Sequence, residues 1–207
     1  MAGNIIGYLI LAWKIFIRPW TSPETLWLVL PLVLILLLIH LYFGRHRTEE
    51  LGWNSAFGNS ISLLWVCVIL FRFLFSEYKW AAVFFESKPM KSLIIIGVLT
   101  LWVLLLLAFN FFHVMPKRLA FVLSSSDSLY ILAYIIISVI IGDFALNMKT
   151  LIAAIILFII MLAALQLIKH LIPMTQSAKQ VKKARKEKKK KEKAGKKAAK
   201  AKEKNKK

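Results

Sequence analysis

Five apolar runs, at residues 25–43, 59–78, 93–115, 129–147 and 150–172, constrain this chain more than any other feature. Each has the length of about 20 residues that a helix needs to cross the hydrocarbon of a bilayer. The sequence therefore reads as an all-α chain, a polytopic transmembrane helical bundle of about five spans over residues 21–174. Residues 1–20 read as an interfacial or re-entrant helix, and residues 175–207 as a lysine-rich cytoplasmic tail, disordered or partly helical. Composition agrees: 59% of the chain is hydrophobic, where a soluble domain is about 45–50% apolar.

Local signals mark the ends of these segments. Residues 4–17 are apolar but short for a span, with Lys14 inside the run and Arg18 and Trp20 just after it. Such a stretch is expected to lie in the interface, dipping deeper than a surface helix does, with a short true span as the alternative. Residues 1–13 hold no basic side chain, so the positive n-region of a cleaved signal peptide is not expected there. Ser22, Pro23 and Glu24 form a helix start, Pro31 should kink the first span, and Gly44 offers a stop. Trp80, Phe84 and Phe85 in the connection 79–92 suggest an element resting on headgroups. Ser124, Ser125, Ser126, Asp127 and Ser128 read as a polar turn and cap before the fourth span.

Charge is concentrated at one end. Of the net charge of +19, residues 177–207 contribute 16 Lys and 1 Arg against Glu187, Glu192 and Glu203. The short connections do not set the orientation. One side would carry Arg45, Arg47, Lys117, Arg118 and Lys169, the other Lys14, Arg18, Lys79, Lys88, Lys91 and Lys149. The tail does set it, because basic residues close to a span are retained inside. The expected topology has the C-terminus in the cytoplasm, most simply at the plasma membrane of a prokaryote.

Two charges within the runs stand out. Arg72 lies 13 residues after Asn59, and Asp143 lies 14 after Leu129. At 1.5 Å per residue these are depths of about 20 Å and 21 Å on helices running the same way. A charge at the bilayer centre is expensive, so Arg72 and Asp143 are expected to pair within the membrane, or Arg72 to snorkel outward beside Glu77. His40, His113 and His170 sit near the inner span ends with Asn110, Gln166 and Lys169 at similar levels. No two histidines have the i, i+3 or i, i+4 spacing of a ligand pair, so a polar rim is expected and no metal site.

No catalytic residue set is read. HExxH, GxSxG, P-loop and GxGxxG patterns do not occur, and Asp127 and Asp143 lie too far apart on one helix to share a proton. No cofactor is expected. Cys67 is the sole cysteine, so an intrachain disulfide is impossible. The tail has no aromatic residue and too few apolar ones to fold a core. Lys182, Lys183, Arg185, Lys186, Lys188, Lys189, Lys190 and Lys191 form its densest stretch. Such a run binds polyanions, either ribosomal RNA or anionic lipid headgroups.

The functional expectation is a non-enzymatic membrane protein whose tail recruits a polyanion, as an insertion or scaffold accessory, with the bilayer and other membrane subunits as further partners. A small bundle, a basic tail and an intramembrane arginine are features similar to those of ribosome-docking insertion factors. The connection 44–58 is too short for the long cytoplasmic hairpin of such proteins. The alternative is a small transporter or channel built on Arg72 and Asp143.

Overall fold

The computed structural model describes residues 2–45 and 52–173, together with Lys179, Gln180, Lys183, Ala184 and Glu187 of the tail. The described residues contain no strand. Eight helices follow in order among the described residues up to Pro173: α1 (Ala2–Thr21), α2 (Pro23–Arg45), α3 (Trp53–Glu77), α4 (Trp80–Phe85), α5 (Ser87–Phe111), α6 (Lys117–Leu123), α7 (Ser126–Ile141) and α8 (Met148–Leu171). Five segments are long and apolar enough to cross a membrane: Thr25–Arg45, Trp53–Glu77, Ser87–Phe111, Lys117–Ile141 and Met148–Leu171. The protein is an integral membrane helical bundle.

At the centre of the bundle stands α7. Ile131, Ala133, Tyr134, Ile135, Ile137, Val139 and Ile140 are all buried, so this helix is apolar around its whole circumference, as a core helix is. It packs against α1, α2, α3 and α8. The most extensively packed helix pair is α3 with α5. Leu63, Val66, Cys67, Leu70 and Leu74 on α3, and Ile96, Leu99, Val103 and Leu106 on α5, are buried at spacings of three and four residues, which align on one helical face. Outward residues such as Trp65, Val98, Leu101 and Ile159 are apolar as well. That exterior suits hydrocarbon and would be unfavourable in water.

The N-terminal helix is not one of the five span candidates. It packs mainly along α8 and also touches α2 and α7, burying Ala12 and Ile15. Trp20 Nε1 donates to the Tyr134 hydroxyl at 2.9 Å, and that hydroxyl donates to the Phe16 carbonyl. At the loop 79–92, α4 stacks Trp80 on Phe75 with ring centroids 4.4 Å apart, while Phe85 stays exposed.

Two boundaries differ from the sequence reading in ways that matter. The second span opens at Trp53 and not at residue 59, which places Asn59 two turns inside a helix. The fourth span runs over Lys117–Ile141 and not 129–147. The serine run therefore lies within it, between α6 and α7, and Asp143 lies beyond it. Gly142 ends α7 by close approach: a Cβ there would meet the Ser138 carbonyl, and would lie 2.7 Å from Arg18 Cγ.

Candidate functional site: a polar seam at a broken span

A break inside a span frees backbone groups that lipid cannot satisfy. Here Leu123 ends α6, and Ser125 caps α7 by accepting a hydrogen bond from Ser128 N at 3.3 Å. The freed Ser124 carbonyl is met from another helix, by Asn59 Nδ2 at 2.9 Å. The same amide nitrogen donates to Ser126 Oγ at 2.9 Å. From α5, Asn110 Nδ2 donates to Ser124 Oγ at 2.7 Å and to Ser60 Oγ at 3.3 Å. Ser60 in turn donates to the Ala56 carbonyl. Asn59, Ser60, Asn110, Ser124 and Ser126 are all buried. Two asparagines on neighbouring spans thus stitch the break closed.

One residue further along, Asp127 begins a second cluster. It sits in the first turn of α7, where the helix dipole favours a carboxylate. Gln166 Nε2 of α8 donates to its Oδ2 at 2.9 Å, and His40 Nε2 of α2 lies 3.4 Å from its Oδ1. His40 Nδ1 lies 2.9 Å from the Leu36 carbonyl, so it carries the proton of the neutral ring and Nε2 is left as an acceptor. An acceptor facing a carboxylate gains nothing, whereas a protonated Nε2 would donate to it. Among the described residues, His40 Nε2 and Asn110 Oδ1 are the buried side-chain polar atoms without a hydrogen-bond partner. Chemically this arrangement can hold helices together and hold or release a proton. No group of three residues able to hold a metal occurs among the described residues.

The expected histidine rim is only partly seen. His40 is buried against Asp127, while His113 is exposed in a left-handed turn, edge-on to Trp53 at 4.3 Å. His170 is exposed near the end of α8.

The structure does not bring Arg72 and Asp143 together as an ion pair. Asp143 follows α7 in a left-handed turn with φ 63°, and its carboxylate pairs with Lys88 at the start of α5. Arg72 is exposed near the end of α3 and makes no ion pair among the described residues. The inference of matched depth failed because Asp143 is not in a span. Arg72 is little more than one turn from Glu77, the last residue of α3, so its guanidinium can reach the interface along its own stem. Arg72→Leu is therefore expected to change stability in detergent by less than about 0.5 kcal/mol, as at ordinary surface sites. Asp143→Asn should cost no more than about 1 kcal/mol, since both partners are exposed. A thermal-unfolding series on the two variants checks both values; a loss of several kcal/mol from Arg72→Leu would restore a buried partner.

Of the eight densest tail residues, Lys183 is described, helical and exposed. Lys182, Arg185, Lys186, Lys188, Lys189, Lys190 and Lys191 lie outside the described residues. Asn59 and Asn110 escaped sequence reasoning as a pair, although each is an amide set among apolar residues, which was the available signal.

No protein-family model matches the chain, no curated protein matches it in sequence, and no solved structure matches its fold.

Proposed function

We propose that this is a non-enzymatic membrane protein that uses its polybasic tail to bind a polyanion, ribosomal RNA or anionic headgroups, at the cytoplasmic face of a prokaryotic plasma membrane. The observation that carries this reading is the charge of the tail: 17 basic residues against three glutamates, beginning just past the last apolar run. Within the described part of the chain, α8 ends at Leu171 and Pro173 follows, so the tail leaves from one defined end of the bundle. The seam at the broken span supports the architectural half of the proposal, a tightly closed bundle that holds the tail at a surface. The transporter alternative on Arg72 and Asp143 draws no support from an aspartate already engaged by Lys88.

Two experiments test the proposal. A chain ending at Ser177 should stay membrane-embedded and lose co-sedimentation with ribosomes and with anionic vesicles. Undiminished binding to both would end the recruitment reading. An enzyme reporter active only outside the cytoplasm, fused after Lys207, should be silent; an active fusion would reverse the orientation.

A further inference from the structure

The helices α5 and α8 each pack mainly on another partner, α5 on α3 and α8 on α1. Between them, over the C-terminal half of α7, a groove of about 590 Å³ remains. Its walls are apolar and include Ile95, Ile136, Val139, Leu151 and Ala154. All three helices belong to membrane-spanning segments, so the groove opens toward hydrocarbon and not toward water. Its volume is that of a small-ligand site.

One end of the groove is polar. Lys91 and Asn147 line it there. Asn147 Oδ1 accepts from Thr150 N at 3.0 Å as the cap of α8, which leaves its amide hydrogens for a ligand. The nearby Lys88 and Asp143 cancel each other. Lys91 is exposed and makes no ion pair among the described residues, so the end carries a net positive charge. An apolar channel in the bilayer with a cation and an amide donor at its headgroup end matches an amphipathic anion. We propose that this groove binds a phospholipid of the surrounding membrane, an acyl chain lying along Ile136 and Ala154 and an anionic phosphate headgroup on Lys91 and Asn147.

The site is independent of the tail. Asn147 caps the start of α8, with Lys91 near the start of α5 at the same end of the groove, and the tail leaves from the other end of α8, 24 residues and about 36 Å away. The lipid therefore belongs to the leaflet opposite the tail, and either proposal can fail alone.

The test is photo-crosslinking in the full-length chain, in membranes of known phospholipid composition. A photoreactive residue replaces Ile136 in the groove, or Ile159 on the exposed face of α8 as a control. Adducts from the groove should be phospholipid, with anionic species enriched about fivefold over their share of the bilayer, the worth of roughly one lysine. Lys91→Gln should return that ratio to the bulk value, and the control position should show the bulk value throughout. Native mass spectrometry gives a second readout on a chain altered only at exposed Lys91: one fewer anionic lipid should be retained by Lys91→Gln than by the parent. Bulk-ratio adducts at the groove, enrichment untouched by Lys91→Gln, or adducts to protein would each overturn the proposal, the last assigning the groove to another helix.

Discussion

Raising salt from 50 to 200 mM should weaken binding of the full-length chain to ribosomes by about 10³–10⁵, provided the tail neutralises six to ten phosphates. Each lysine that replaces a condensed counterion adds to the slope of affinity against salt. Seventeen basic residues make such a count easily reached. The same titration against anionic vesicles gives a second slope, and the steeper and tighter partner is the one the tail selects. A scrambled tail of equal composition should keep both slopes, because the recognition is one of charge density. Without interleaved aromatics, base stacking is not open to it. A flat salt response, or one lost on scrambling, would mean that the tail reads a specific partner and that the polyanion reading is wrong.

Asn59→Leu is expected to be the most destabilising single change in the seam, at about 1–3 kcal/mol. The reason is the fixed geometry of its acceptor. The Ser124 carbonyl is held by the break between α6 and α7, is fully buried, and has Asn59 as its side-chain donor. Leucine is close to asparagine in size but supplies no N–H, and the surrounding hydrocarbon offers no donor in its place. Asn110→Leu should cost less, about 0.6–1.7 kcal/mol, the range of hydrogen bonds between membrane helices. Its acceptors are the Ser124 and Ser60 hydroxyls, which can turn to other partners. The double variant should lose less than the sum, because both amides meet at Ser124. Thermal midpoints in a mild detergent give the ranking; an Asn59→Leu protein as stable as the parent would show that the break is satisfied in some other way.

Most of the architecture was legible because bilayer thickness imposes a length on every span, and uninterrupted apolar runs report that length directly. Ends were harder. Asn59 and Ser60 look like the mouth of a span when read in isolation, yet they lie inside α3 because Asn110 and the serines give their polar groups partners. The serine run was legible as a cap, and Ser125 does cap α7. Its depth was not legible, since a cap reads the same at the surface and inside a bundle until the donors on other helices are known. The expectation for Arg72 and Asp143 failed on the same error, propagated by twelve residues at the start of the fourth span. His40 and Asp127 lie 87 positions apart on different spans, and nothing local to either names the other.

The order in which the chain is made bears on how it enters the membrane. Lys117–Ile141 is the least hydropathic of the five spans and the most enclosed, whereas Met148–Leu171 is the most hydropathic and the least enclosed. Released alone into lipid, the fourth span would present the uncompensated Ser124 carbonyl and the Asp127 carboxylate to hydrocarbon. By then α3 and α5 have already been synthesised, and they hold Asn59 and Asn110. Insertion of the fourth span is therefore a docking step onto its predecessors more than a partition into lipid. The fifth span, which enters by its own hydrophobicity, arrives afterwards and brings Gln166 to Asp127. Partitioning and docking thus alternate during biogenesis, and a chain arrested after Ile141 would contain the stitched break without the helix that covers its acidic end.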